Sequence, residues 1–306
     1  MPYYLGIDGG GTKTTCAVGD ESSLLVTATA GASNIVRVGE AQTRESLHKS
    51  VMQACAAAGI APAQIARTCV GGSGAAHPEL AAAVRAFLAE MLPTPIDVVG
   101  DMEIALEAAF DRGPGVIVIA GTGSIAYGRD AQGNTLRAGG WGFSIGDEGS
   151  AHWIGRSAIS AVLRASDRID AQDADFMPSA AVLLKAWGVA SLADLALAGN
   201  AVPPPDFASL LPAVIGSDAD WAKQVLTSAG RELAMIAEVV IGRLFVNRPA
   251  DGVPVAMIGG VFRHAAIVRQ VFYNELRQFD ARTQINPNVV EPVEGALRMA
   301  RRAALK

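Results

Sequence analysis

Apolar strand residues run into an aspartate, three glycines and a polar block at Leu5-Gly6-Ile7-Asp8-Gly9-Gly10-Gly11-Thr12-Lys13-Thr14, and Thr15-Cys16-Ala17-Val18 turn apolar again. Glycines permit the tight turn of a β-hairpin and bring bare backbone N–H groups to the surface. Such groups, beside Thr12, Lys13 and Thr14, can wrap phosphate oxygens. Asp8 stands at the strand end, where a carboxylate can hold Mg²⁺ or its waters beside a phosphate. A plain glycine-rich hairpin is the competing reading of this segment. The stretch is neither a Walker loop, which needs G-x-x-x-x-G-K-[ST] before a helix, nor a dinucleotide fingerprint, since no helical pattern opens after the glycines.

A second stretch repeats the plan. Gly115 to Ala120 is a buried-strand run, Gly121-Thr122-Gly123-Ser124 is a turn, and Ile125-Ala126-Tyr127-Gly128 is another strand. Two such units suggest a duplicated fold facing a cleft. A third strand, Val255 to Ile258, ends in Gly259-Gly260 before a helix-like run. This order resembles the ATPase domain shared by sugar kinases, actin and the large heat-shock chaperones, in which the late Gly-Gly lies against the adenosine.

Composition narrows the function classes. The chain has 306 residues, enough for two ordinary domains, with 50% hydrophobic and 18% charged residues. A net charge of −5 without a basic block argues against nucleic acid as a partner. No apolar run reaches the ~20 residues of a membrane span, and Met1-Pro2-Tyr3-Tyr4 enters the first strand without the pattern of a signal peptide. Cys16, Cys55 and Cys69 suggest neither a disulfide framework nor a zinc set. The expected compartment is the cytoplasm.

Along the chain, residues 3–8, 14–19 and 24–30 are predicted strands, and 40–58 a helix with Leu47, Val51, Met52 and Cys55 on one face. A short strand over 66–70 ends in Gly71-Gly72-Ser73-Gly74, and a helix follows from His77-Pro78 to about Met91. A strand over 96–99 delivers Gly100-Asp101, and a helix runs from Met102 to Phe110. The second half predicts strands at 116–120, 125–129 and about 135–138, then helices at 150–165 and 218–245 with two short helices over 177–198 between them. A strand at 253–258, a largely helical 261–279, a last strand at 285–290 and a terminal helix from Pro292 complete it. The alternation gives an α/β class. With the resemblance, it implies two ribonuclease-H-like (actin-like ATPase) domains around a central nucleotide and sugar cleft. The break at Asp111-Arg112-Gly113-Pro114 sets the boundary. Residues 1–112 plus the terminal helix, about 291–306, form one domain and 113–290 the other.

Asp101 has two readings, a helix N-cap or the carboxylate that accepts the proton of an attacking hydroxyl, and both can hold at once. In Ser144-Ile145-Gly146-Asp147-Glu148-Gly149-Ser150 the paired acids suit a helix N-terminus. The preceding Gly139-Gly140-Trp141-Gly142 suits either a ring exposed in a pocket wall or a core tryptophan beside a tight turn. His48, His77, His152 and His264 show no ligand spacing and are read as surface or capping residues.

Together, Asp8-Gly-Gly-Gly-Thr12, Asp101, Gly121-Thr-Gly-Ser124, Gly139-Gly-Trp-Gly142 and Gly146-Asp-Glu-Gly-Ser-Ala151 resemble the N-acetylglucosamine kinase family, within the BadF/BadG/BcrA/BcrD ATPase group. The resemblance spans the chain, with a weaker tail at Gly259-Gly260 and Gly295-Ala296. It implies a phosphotransferase in which Asp101 is the base acting on the sugar 6-hydroxyl. Gly10, Gly11, Thr12, Lys13, Thr122 and Gly123 would hold ATP phosphates, Asp8 would hold Mg²⁺, and Gly259 and Gly260 would border adenosine. Asn34, Ser124, Gly140, Trp141 and Asp147 would face the sugar. One departure is Ile125, where vertebrate members carry asparagine, and this keeps glucosamine and N-acetylmuramate open as substrates. The long helix over 218–245 is read as core, though such helices also build dimer interfaces in this superfamily, implying a homodimer. Two other classes are weighed, an ATPase activating a radical dehydratase and a non-catalytic sugar sensor. The first lacks its paired cysteines and the second its DNA-binding extension.

Overall fold

The computed structural model describes residues 2–72, 77–168, 176–247 and 249–305; Ser73 and Gly74 of the expected turn lie outside them. The chain forms two compact units, Met1–Gly113 with Val290–Lys306, and Pro114–Val289.

In the first unit, β1 (Tyr3–Gly9), β2 (Thr14–Gly19), β3 (Leu24–Ala30), β4 (Ile65–Gly72) and β5 (Ile96–Gly100) form one sheet in the order β3-β2-β1-β4-β5. β1 pairs antiparallel with β2 and parallel with β4, which pairs parallel with β5. Period-two alternation sends Leu5 and Ile7 to one face, where they meet Leu47 and Val51 of α1 (Ile35–Ala57) and Phe87 and Leu88 of α2 (Pro78–Ala89). Tyr4 and Cys69 face the other side, against Ile104 of α3 (Asp101–Phe110) and Leu297 of α11 (Pro292–Ala304). Ile104 and Leu297 are 0% and 1% exposed, and burials of this kind contribute roughly 1.5–3 kcal/mol each. Arginines then fasten α11 at its rim. Arg301 donates to the carbonyls of Asp20 and Ser23 at 2.7 and 2.8 Å, and Arg302 pairs with Glu107 and Asp111.

The second unit carries β6 (Gly115–Ala120), β7 (Ser124–Arg129), β8 (Thr135–Gly139), β9 (Pro254–Ile258) and β10 (Gln284–Val290). Their order, β10-β9-β6-β7-β8, is that of the first sheet, with an antiparallel β6–β7 hairpin and a parallel β6–β9 pair. The duplicated plan is therefore real at the level of topology. The helices are α4 (Ala151–Ser166), α5 (Phe176–Trp187), α6 (Leu192–Gly199), α7 (Leu211–Ile215), α8 (Asp220–Leu244), α9 (Gly260–His264) and α10 (Ala266–Phe279). Val225, Ala229, Leu233 and Val240 of α8 are buried as the 3- and 4-residue spacing predicts.

Several expectations need correction. Met52 is 40% exposed, because the stripe of α1 that meets the sheet is Leu47, Val51, Ala54 and Cys55. The same helix starts earlier than Glu40, as a short turn broken at Gly39 (φ +77°). His152 is 8% exposed rather than on the surface, its ring packed between Phe143, tilted at 4.9 Å, and Phe207, edge-on at 5.0 Å. Among the described residues no single helix is long and apolar enough to cross a membrane. The bent pair of α5 and α6 passes that test on length and composition.

Candidate active site

The β1–β2 register ends at Gly9 opposite Thr14, leaving Gly10, Gly11, Thr12 and Lys13 as the loop. Gly10 N–H donates to the Lys13 carbonyl at 3.0 Å and closes it. The buried Thr14 hydroxyl bonds the Gly31 carbonyl and the Ser33 hydroxyl, both at 2.7 Å, so the turn is tied to the segment leading into α1. There Asn34 caps the first turn, its Oδ1 accepting from the N–H groups of Val36 and Arg37 at 3.1 and 3.3 Å. Thr12 and Lys13 are left exposed at the loop tip.

Two strands away, β5 hands the chain to α3. Gly100 occupies the N-cap position and Asp101 the first helical position, so Asp101 is not itself the cap. Its carboxylate instead accepts from Met102 N–H at 2.9 Å, while Glu103 reaches back to Gly100 N–H at 3.2 Å. Burial pushes the Asp101 carboxyl above its ordinary range, offset by the backbone N–H groups of Met102 and Asp101. Asp8 is pushed up to about 6, first by burial and then by the charge of Asp101, with Lys13 opposing and Glu291 adding to the rise. One unit thus gathers three acids and one lysine around a glycine turn.

Asp8 fits Mg²⁺ as a single carboxylate ligand. A carboxylate raised first by burial and then by neighbouring acids gains from a cation, and Mg²⁺ takes one or two carboxylates with phosphate oxygens and water. Among the described residues no group of three or more Asp, Glu, His or Cys could hold a metal. Phosphate and water would therefore complete the coordination.

The second unit builds one locus from three separated motifs. The turn after β6 is closed by Gly121 N–H to the Gly123 carbonyl at 2.9 Å. Its carbonyls receive the N–H groups of α4, Ala151 to Gly121 at 2.8 Å and His152 to Thr122 at 3.4 Å. Ser124, 4% exposed, donates to the Glu148 carbonyl at 2.7 Å and so pins the acidic segment to the turn. Asp147 is 8% exposed at φ +61°, a left-handed conformation that Asp tolerates better than most residues. Its Oδ1 accepts from Gly142 N–H at 3.2 Å, and a Cβ on Gly123 would stand 2.6 Å from its Oδ2. Burial raises its carboxyl, offset by the N–H groups of Gly142 and Ser124, while the charge of Glu148 adds to the rise. Gly259, at φ +103°, packs directly on the Ala120 carbonyl beneath the turn.

Gly140 (φ +70°) turns the chain so that Trp141 is 65% exposed, with the Arg137 guanidinium 4.6 Å above its ring. The core-tryptophan alternative is excluded. Ile125 packs beneath Gly140, its Cδ1 2.6 Å from where a Cβ would stand.

Residues 5–300 match the sequence profile of the BadF/BadG/BcrA/BcrD ATPase family. The chain belongs to this family. Membership implies use of ATP. The chain is 36% identical over 170 residues to an N-acetylmuramic acid/N-acetylglucosamine kinase of Clostridium acetobutylicum, a match covering 55% of this chain and 56% of that protein. It is 32% identical over 178 residues to an N-acetyl-D-glucosamine kinase of Dictyostelium discoideum, covering 54% and 56%. The chain thus spans about half the length of the curated relatives it matches. A crystal structure from Chromobacterium violaceum, of a protein proposed to be an N-acetylglucosamine kinase, superposes with a TM-score of 0.74 at 27% identity, covering 98% of this chain and 99% of that one. ROK hexokinase of Thermus thermophilus shares the fold, with a TM-score of 0.57 at 17% identity over 99% of this chain and 100% of that one.

In this BadF-group chain the sequence-predicted residues fall into two sets. Asp8, Gly10, Gly11, Thr12, Lys13, Asn34 and Asp101 lie in the first unit, and Thr122, Gly123, Ser124, Gly140, Trp141, Asp147, Gly259 and Gly260 in the second. Sequence reasoning missed Arg37, Glu291 and Arg137. Packing brings Arg37 beside Gly11 and Glu291 beside Asp8, whereas Arg137 stands two residues before the Gly139-Gly140 turn whose Trp141 ring it covers.

Proposed function

We propose that this chain transfers the terminal phosphoryl group of ATP to the 6-hydroxyl of an amino sugar, with N-acetylglucosamine as the first candidate. The observation that carries this reading is the Asp101 carboxyl, partly buried and raised, in the same unit as a glycine turn with Lys13 and Asp8. Burial that raises the carboxyl makes it more basic than an exposed aspartate, which suits a group that must take a hydroxyl proton. The sugar oxygen attacks the phosphorus, its proton passes to Asp101, and ADP leaves with the bridging electron pair. Mg²⁺, when bound near Asp8, would neutralise charge on the phosphate oxygens.

Backbone N–H groups of Gly10, Gly11, Thr122 and Gly123, with Thr12 and Lys13, are proposed to grip phosphate, and Gly259 and Gly260 to border adenosine. Sugar-facing roles are proposed for Asn34, Gly140, Trp141 and Asp147. Ser124 is proposed to hold the sugar segment in place through Glu148. The two compact units are proposed as the functional domains. A homodimer is the proposed assembly, supported by Met235 and Val239, 53% and 40% exposed one turn apart on α8. A cytoplasmic location is supported by three buried, unbridged cysteines.

A second acceptor, glucosamine, whose C2 carries an amine and no amide, is favoured by one observation, whereas N-acetylmuramate keeps that amide and gains nothing from it. Ile125 packs on Gly140 and offers no hydrogen bond to an amide at C2.

The test is ATP-dependent ADP release with N-acetylglucosamine, glucosamine, N-acetylmuramate and glucose in parallel, for wild type and Asp101→Asn. An amino-sugar preference that collapses by ~10² or more in the variant supports the reading. Sugar-independent hydrolysis, unchanged in the variant, overturns it.

A further inference from the structure

The turn that would grip phosphate, Gly10 to Lys13, supplies one cationic side chain of its own, Lys13. Acting on Asp8 are two further acids, Asp101 and Glu291, against a single cation, Lys13. A second cation stands beside the turn. The Arg37 side chain lies over Gly11, with a guanidinium nitrogen 3.3 Å and its Cδ 3.6 Å from where a Cβ on that glycine would stand.

Three features indicate that this arginine is placed for a ligand rather than for the fold. Among the described residues its guanidinium forms no ion pair or hydrogen bond, as is also true of Arg156 and Arg243, but of these three only Arg37 lies over the glycine turn. Its backbone is fixed, with Arg37 N–H donating to the Asn34 carbonyl at 2.9 Å and to Asn34 Oδ1 at 3.3 Å. The break at Gly39 then separates this short capped turn from the rest of α1. A planar guanidinium presents paired N–H donors that match phosphate oxygens two at a time, which a lysine cannot do.

We propose that Arg37 is a phosphate-binding residue that holds the terminal phosphate of the nucleotide donor together with Lys13. The inference rests on the kinase reading above and extends it to a residue outside every motif in the sequence. Asn34, by capping the turn, acts as its positioning residue.

Calorimetric titration of the full chain with a non-hydrolysable ATP analogue and with ADP, both with Mg²⁺, tests it on wild type, Arg37→Ala and Arg37→Lys. The expected result is a loss of about 10-fold or more in analogue affinity for Arg37→Ala, with ADP affinity within about twofold. Arg37→Lys should recover part of the loss, and unfolding midpoints should stay unchanged because the side chain is exposed. Equal losses for both nucleotides, or none, overturn the proposal while leaving the kinase reading intact. So does a defect confined to KM for N-acetylmuramate, which would place the guanidinium on the sugar's carboxylate. Absence of nucleotide binding by the wild type overturns both.

Discussion

Gly295 of α11 lies directly against the carbonyl oxygen of Ile104 in α3, and a Cβ on it would also come within 2.6 Å of the Ala108 nitrogen. The two helices meet backbone to backbone, and α3 begins at Asp101. Gly295→Ala should therefore destabilise the protein by roughly 1–3 kcal/mol, the scale of overpacking a core. Calorimetry would show the unfolding midpoint lowered by several degrees, and kcat should fall as α3 shifts. Gly242→Ala is the matched control, on the exposed side of α8 with nothing within 4 Å of its Cβ position. It should be neutral or slightly stabilising. Equal behaviour of the two variants would show that the close contact is unimportant.

Asp8 gives a pH signature. Its carboxyl moves from 3.8 to about 6 on folding, so the native state keeps its proton longer than the unfolded chain. Stability from this group is complete below about pH 4 and is lost as pH rises to about 6. Asp8→Asn should then be more stable than wild type at pH 7, by on the order of 1–3 kcal/mol, with the gap closing near pH 4. Denaturant melts across that range would measure it. A gap independent of pH would assign the effect to packing. Phosphoryl transfer should fall in the same variant, because the carboxylate proposed to hold Mg²⁺ is gone.

The raised Asp101 carboxyl sets the acid limb of catalysis. A base works only when ionised, so kcat/KM should decline with falling pH at a value above the ~3.9 of an ordinary aspartate. Burial is the main cause of the rise, so the limb should persist at high salt. Residual activity of Asp101→Asn should lack it. A limb at the ordinary value, or one retained in the variant, would point to another base.

Trp141 separates binding from stability. Its ring is 65% exposed, with the Arg137 guanidinium over one face. Trp141→Ala should change the unfolding free energy by no more than about 0.5 kcal/mol. The sugar KM should rise about 10-fold, equivalent to ~1.4 kcal/mol of lost contact. A large stability loss with unchanged KM would return the ring to a structural role.

Local chemistry made much of this molecule legible from its residues. The strand runs at Tyr3–Gly9 and Gly115–Ala120, their glycine turns and the apolar stripe of α8 all follow from periodicity and turn preference, which act over a few residues, whereas the bond from Gly142 N–H to Asp147 does not. The family followed from the order of those motifs, and residues 5–300 bear it out. Tertiary structure alone decided what depends on neighbours distant in sequence. It made Gly100 the cap and Asp101 the first helical residue, buried His152, exposed Met52 and set Ser124 to pin Glu148 across 24 positions. It also laid Arg37 over Gly11 and brought Glu291 to bear on Asp8 from the far end of the chain. Charge and packing act through space, and no pattern within a window of residues records which side chains a fold will set side by side.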